Sequence, residues 1–377
     1  MEKHLLMIIN EDRFFLSHRL PIAVMARERG WKVTIVAKDT GSRRQIEDSG
    51  LDYIDLPINP TGMNPIDEYR LFRFLRRLIK ESSATVVHLV GLKNILWGGL
   101  AARFVKEKGV LFAVSGLGTL FGEEKKEWIS RGVQRLIKTG MNRKKGAVIF
   151  QNEEDRSLFI NNGITGKCDI YFIKGSGVDL NLYTPSDKSA EGPLRIIFTG
   201  RMLKEKGVED LVAAAELLRD KYEGKIEILL CGELSSNPRS VSREELERFC
   251  DGKYIKWLGQ CGNIPQLLSN AHIMCFPSYY REGVPKSLLE ASAAGLPIVT
   301  TDSVGCRDTV EEGKNGLLVP PHSPESLANA LEKLINDKAL RERMGKYSRE
   351  KAEKEYDVDR VARKHLEIYD SLLQKNS

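Results

Sequence analysis

Residues Pro277–Pro320 read PSYYREGVPKSLLEASAAGLPIVTTDSVGCRDTVEEGKNGLLVP. The apolar run Ile273–Pro277 leads into this stretch, and a helical pattern opens near Pro285–Ser287, where proline suits a first turn. Two more apolar runs follow, Pro297–Thr300 and Gly316–Val319. Strand, helix and strand at this spacing predict parallel strands joined by crossover helices. Upstream the same alternation places strands at Arg195–Thr199, Lys225–Cys231 and Ile255–Leu258. Before a polar linker at residues 185–193, a first set is expected at Leu5–Ile9, Lys32–Val36, Tyr53–Leu56, Val86–Leu89, Leu111–Val114, Ala147–Phe150 and Ile170–Ile173. The segment Pro324–Leu373 reads as helical. A chain of 377 residues exceeds one ordinary domain of roughly 150. Two doubly wound α/β domains, each with a parallel sheet covered on both faces, account for the pattern. In such sheets ligands bind at the carboxyl ends of the strands.

Composition narrows the function. Hydrophobic residues make up 41% and charged residues 29%, the balance of a globular chain. The net charge of +6 is uneven: residues 1–185 hold 29 basic against 21 acidic side chains, whereas residues 186–377 hold 29 against 31. No apolar run approaches the roughly 18–20 residues of a membrane span. The N-terminal run carries no signal-peptide pattern, so a cytoplasmic location is expected. The six cysteines form no CxxC and have no histidine at ligand spacing, which favours buried structural thiols over zinc or disulfides.

The chemistry concentrates in two loops of the second half. Gly200, Arg201 and Lys206 follow the strand Arg195–Thr199; the glycine permits a tight turn and the two cations can neutralise a diphosphate. A solvated turn reads the same way when this loop is taken alone. In the second loop Glu282 precedes the helix start and Glu290 lies about one turn inside it. Gly283 and the next backbone amides form a phosphate-binding helix N-terminus. Glu290 is then placed for ribose hydroxyls and Glu282 for the group beyond the phosphates.

With these residues in place, EGVPKSLLEA (282–291) resembles the signature of the retaining glycosyltransferases of family 4, which have the GT-B fold. IKGSGVDLNLYTP (173–185), GRMLKEKGVEDLVAA (200–214) and GLPIVTTDSVGCRDTVEEGKNGLLVP (295–320) extend the resemblance in order. It implies two Rossmann-like domains facing a cleft. Residues 1–185 would bind the acceptor, 186–355 the nucleotide sugar, and 356–377 would form a helix crossing back to the first domain. Arg201 and Lys206 would stabilise the leaving diphosphate, Glu282 would face the donor sugar, and Glu290 the ribose. Gly200, Gly283, Val284, Pro285, Ser287 and Leu288 would line the donor site. No metal and no separate cofactor are expected, because basic side chains take the role of a divalent ion and no DxD motif follows a strand.

Four segments of the first half, NEDRFFLSHRLPIAVMARERG (10–30), VVHLVGLKNILWGGLAARF (86–104), AVSGLGTLF (113–121) and VIFQNEEDRSLF (148–159), resemble a bacterial subgroup. Its members build lipid-linked O-antigen, capsule or N-glycan oligosaccharides. The implied donor is a UDP-linked N-acetylhexosamine and the implied acceptor a polyprenyl-diphosphate-linked glycan. GDP-mannose, UDP-galactose or UDP-glucose, or epimerisation of a UDP-sugar on the same fold, are the alternatives. The paired glycines that many members carry after the first strand are replaced here by Phe14, Phe15, Ser17, His18 and Arg19. The histidine that many members place after the Leu111–Val114 strand is replaced by Ser115, Gly116, Leu117 and Gly118. Ser17, His18, Arg19, Gly116, Gly118 and Asn152 are the candidate acceptor-side residues; for His18 capping or packing is the alternative, for the glycines a tight turn, and for Asn152 a helix start. His88 reads as a core histidine.

Two basic helices, Tyr69–Lys80 and Lys125–Lys145 with its segment Trp128–Met141, could be solvated faces or could dock on anionic lipid. The second, with Trp128, Ile129, Val133, Leu136 and Ile137 among basic residues, is the better candidate. It predicts a peripheral protein on the cytoplasmic face of the inner membrane. No recognition motif for nucleic acid is present, so no nucleic-acid partner is expected.

Overall fold

A computed structural model describes residues 2–59, 62, 64–117, 127–186, 192–235 and 239–375, except the side chains of 127–130. The chain divides into two compact units, one running to Ser176 and resuming at Val358, the other spanning Gly177–Asp357.

The first unit holds β1 (His4–Glu11), α1 (Asp12–His18), α2 (Leu20–Glu28), β2 (Lys32–Lys38), α3 (Arg43–Asp48), β3 (Asp52–Asp55) and α4 (Pro65–Glu81). It continues with β4 (Val86–Val90), α5 (Leu92–Ala102), β5 (Gly109–Val114), α6 (Glu127–Met141), β6 (Gly146–Phe150), α7 (Glu153–Asn161) and β7 (Asp169–Phe172). The sheet order is β3-β2-β1-β4-β5-β6-β7, with parallel pairing at each step. Alternate side chains divide between two layers, as the period of two requires. Leu5, Met7, Ile9, Val86, Val90 and Leu111 pack on one face with α2. Leu6, Ile8, Val87, Leu89, Val110 and Phe112 pack on the other with α4 and α5. Asp12 fastens the β1 end to the next loop by accepting hydrogen bonds from the N–H groups of Thr40 (2.8 Å) and Ser42 (2.8 Å) and from the Thr40 hydroxyl. Burial alone would raise its pKa, but these bonds outweigh that and lower it.

The second unit holds β8 (Leu194–Thr199), α8 (Val208–Tyr222), β9 (Ile226–Cys231), α9 (Arg243–Phe249), β10 (Ile255–Gly259), α10 (Ile264–Asn270) and β11 (Ile273–Phe276). It ends with α11 (Lys286–Ala293), β12 (Ile298–Thr301), β13 (Gly316–Val319), α12 (Pro324–Asn336) and α13 (Lys338–Glu355). Its order, β10-β9-β8-β11-β12-β13, is again parallel throughout. The direction of winding reverses between β8 and β11, the point at which such sheets open a crevice.

Each expected strand has its counterpart, displaced by no more than two residues. The boundary expected at the polar linker is corrected. Residues 177–185 pack with the second unit: Val178 bridges Asp357, and the Arg349 guanidinium donates to the carbonyls of Tyr183 (2.8 Å) and Ala293 (2.8 Å). The reason is that Val178 and Tyr183 are buried in the core of the second unit and the segment's carbonyls find a donor in α13, partners too distant along the chain for its composition to reveal. The final helix, α14 (Val358–Gln374), buries Val361, Leu366, Ile368, Tyr369 and Leu372 in the core of the first unit.

Glu311 links the turn before β13 to α13. It accepts from Tyr347 (2.7 Å), Lys351 (2.8 Å) and Lys314 (3.2 Å), and the Lys351 bond leads the causes that depress its pKa to about 2. A carboxyl depressed in the folded state stabilises the fold above its ordinary value of 4.5, and that contribution vanishes as pH falls towards 2. Glu311→Gln should therefore lower Tm by a few degrees at pH 7, and thermal unfolding should show the gap from wild type closing by pH 2.

Candidate active site

The loops after β8 and β11 meet at the reversal point of the second sheet. After β8 the chain runs through Gly200 and Arg201 into a single 3-10 turn, Lys204–Lys206, closed by Gly207 in the left-handed conformation (φ +76). A side chain at Gly207 would also drive into the Pro277 carbonyl. The Glu205 carbonyl accepts the N–H groups of Tyr279 (3.0 Å) and Tyr280 (3.1 Å) and the Ser278 hydroxyl (3.1 Å). On the far side, Gly305 (φ +83) lets the Ser303–Cys306 turn press on the backbone of Glu282 and Gly283.

This joint brings Lys206 against Glu282 in a direct ion pair, with both side chains about 15% exposed. The Ser278 hydroxyl, whose proton goes to the Glu205 carbonyl, lies 3.4 Å from Glu282, and the ammonium faces the rings of Phe276 (5.1 Å) and Tyr280 (5.9 Å). Burying both charges together avoids the cost of burying either one alone, and the ring faces add attraction for the cation. Arg201 is exposed and forms no ion pair with a described residue. The neighbouring cation Lys204 pairs with Glu209 (3.2 Å) and Glu245 (3.1 Å), and Arg239 with Glu205 (2.7 Å).

Helix α11 begins after Pro285, and no side chain caps it. Its N-terminus therefore presents the positive end of the helix dipole. Gly283, Val284 and Pro285 are buried beneath it, as is Leu288, while Ser287 is half-buried. Glu290, one turn in, accepts from the Tyr183 hydroxyl (2.9 Å) and pairs with Lys286 (3.4 Å), both at Oε1. Burial first, and then Glu290, push the Tyr183 hydroxyl pKa upward, so it stays a donor. Tyr183 escaped the sequence reading because its partner lies 107 residues away. Lys286 was missed as well, although its i,i+4 spacing from Glu290 on one helix face was a signal for the pair.

The acceptor-side candidates fare differently. His18 is half-buried, stacks on Phe14 (4.1 Å between centroids) and shares a 2.6 Å hydrogen bond with Ser17. Arg19 does not face a ligand: it is 2% exposed, and burial pulls its pKa down to about 10. The break between α1 and α2 turns it inward, where His88, His365 and Tyr369 surround it electrostatically. His88 is a core residue bonded to the Tyr369 hydroxyl (2.8 Å), and burial lowers its pKa well below 6.5. Asn152 is fully buried as the cap of α7, accepting from the Asp155 N–H (2.8 Å) and donating to its carboxylate (3.0 Å). Gly116 follows β5 with a positive φ of +104, and Gly118 falls outside the described residues. Among the described residues no three of His, Cys, Asp and Glu converge as metal ligands.

Two parallel-sheet units with this site at the second sheet's reversal point define the GT-B glycosyltransferase fold, and solved structures agree. A glycosyltransferase from Rickettsia africae ESF-5 superposes with TM-score 0.80 at 17% identity, covering all of both chains. HepE of Anabaena, solved with UDP, superposes with TM-score 0.77 at 18% identity, covering 98% of this chain and all of that one. In sequence, residues 183–351 match the family described as Glycosyl transferases group 1, and residues 4–152 match Glycosyl transferase 4-like. The chain belongs to these glycosyltransferase families. It is 26% identical to the N,N'-diacetylbacillosaminyl-diphospho-undecaprenol alpha-1,3-N-acetylgalactosaminyltransferase of Campylobacter jejuni, over 96% of this chain and 98% of that protein.

Gly207 and Gly224 share φ +76, but only Gly207 has the Pro277 carbonyl against it, while nothing lies within 4 Å of a side chain at Gly224. Gly224→Ala should cost only the backbone strain of the left-handed conformation, about 1–2 kcal/mol. Gly207→Ala should cost clearly more in a denaturant titration, because the Lys206 turn must move.

Proposed function

We propose that the protein is a retaining glycosyltransferase that moves an N-acetylhexosamine from a UDP-sugar to a polyprenyl-diphosphate-linked glycan, without a metal ion. The observation that carries this reading is the Lys206–Glu282 pair beside the uncapped start of α11, with Glu290 one turn further on. An arriving diphosphate competes for Lys206, with Arg201 and the α11 N-terminus adding positive potential. Glu282 is thereby released towards the donor sugar. Glu290 already has one oxygen engaged by Tyr183 and Lys286, and its other oxygen suits a ribose hydroxyl.

The bond from the anomeric carbon to the diphosphate then breaks while the acceptor oxygen attacks from the same face. A diphosphate oxygen takes the acceptor proton. Lys206 and Arg201 stabilise the charge gathering on the leaving group, where fixed cations contribute most. The N-acetylhexosamine and the lipid-linked acceptor are supported by the full-length likeness to the Campylobacter jejuni transferase.

A panel of radiolabelled UDP- and GDP-sugars with a bacterial lipid extract tests the donor and the acceptor together. Label should pass from a UDP-N-acetylhexosamine to lipid, and NMR of the product should show the donor's anomeric configuration retained. Release of an epimer in place of transfer would replace the reading. Glu290→Ala and Arg201→Ala should each lower kcat/KM by roughly 10²-fold or more; near-normal turnover in either would remove these residues from the site.

Such an acceptor calls for a membrane-facing surface. No helix among the described residues is long and apolar enough to cross a membrane. On α6, Arg131, Arg135 and Lys138 are exposed with Leu136 at 40%; Trp128 and Ile129 lie outside the described side chains. On α4 and beyond it, Arg73 lies over Tyr69 and Arg76 over Phe104, and both rings are about 60% exposed. Basic groups near an anionic surface contribute about 1 kcal/mol each. Replacing Arg131, Arg135 and Lys138 together by Glu should release the protein from phosphatidylglycerol vesicles; unchanged sedimentation would exclude α6 as the docking element.

A further inference from the structure

Among the described residues, His322 is the one non-glycine with a backbone in the left-handed region, at φ +56. An L-residue keeps that conformation only where its surroundings hold it. Burial does not hold this one, because its side chain is 62% exposed. The Asp210 carboxylate, in the first turn of α8, has its buried Oδ2, which accepts no hydrogen bond, 3.8 Å from the ring Nδ1 of His322. Burial raises the Asp210 pKa, and the charge of His322 is the leading influence against that rise. Held in this way, the imidazole lies over the Tyr279 ring, with centroids 4.0 Å apart and planes tilted by 47°. Glu205, Glu209 and Lys204 are the other charged groups acting on Tyr279.

Glycine would adopt φ +56 without strain, so a histidine here contributes through its ring. That ring rests on the segment whose backbone hangs from the Glu205 carbonyl at Tyr279 and Tyr280 and which ends, three residues after Tyr279, at Glu282. We propose that His322 is a positioning residue for the donor loop: fixed by Asp210, its ring clamps Tyr279 so that Glu282 and Lys206 are already in place when a sugar nucleotide arrives. This role rests on the donor-site reading of Lys206 and Glu282.

The test compares wild type with His322→Gly and His322→Phe in the full chain. Thermal melting, hydrogen exchange of the Tyr279–Glu282 amides, UDP titration calorimetry, and kcat and KM for the donor are measured. His322→Gly relaxes the backbone, so Tm should hold or rise. The loop amides should nevertheless exchange faster, and the donor KM should increase roughly three- to tenfold, the scale of a displaced loop. His322→Phe keeps the ring and should recover most of both losses. Unchanged exchange in His322→Gly, or a phenylalanine variant no better than the glycine one, overturns the clamp. Faster exchange in a protein whose wild type binds no UDP overturns the donor reading instead, and with it the positioning role.

Discussion

A single backbone oxygen organises the second unit of this protein. The Glu205 carbonyl accepts two consecutive N–H groups, from Tyr279 and Tyr280, together with the Ser278 hydroxyl. Buried backbone groups must find partners, and here the loops after β8 and β11 satisfy each other. Those strands are neighbours where the winding of the sheet reverses, so no crossover helix stands between the two loops. The Lys206–Glu282 pair forms one residue beyond that joint on one side and two residues beyond Tyr280 on the other. Its geometry is set by backbone and not by two flexible side chains finding each other.

The electrostatics follow from the same arrangement. A cation and an anion set together in a half-buried site cost less to hold than either alone. Lys204 and Arg239 have carboxylates of their own nearby, while Arg201 stays exposed. The second unit can thus carry a local cationic site within a half-chain whose net charge is slightly negative. The basic surplus of the first half lies on helix faces, where it is balanced only in part by pairs such as Arg77 with Glu81 and Arg70 with Asp67.

Much of this was legible in one dimension. Parallel strands buried on both faces appear as short apolar runs, and the runs predicted the two sheets closely. The spacing from Glu282 to Glu290 was legible because a loop and the first turn of its helix are local. What stayed hidden depends on distant partners. Tyr183 meets Glu290, and His322 meets Tyr279, only because the sheet brings separate loops to one edge. Arg19 was read as ligand-facing from its place after a strand. It turns inward because α14, some 340 residues later in the chain, supplies Tyr369 and His365 to enclose it. Asn152 shows the opposite limit: a local cap and a ligand contact use the same residue type at the same place.

The return of α14 to the first unit also has a consequence for biosynthesis. One whole domain is threaded between the sheet of the first unit and the helix that completes it. On the ribosome the second unit has all of its own sequence available before the first does. Until α14 emerges, the apolar face beneath it, including Ile22, Trp31 and Leu111, lacks its cover. The nascent first unit is therefore the one exposed to chaperones and to aggregation, although it is made first.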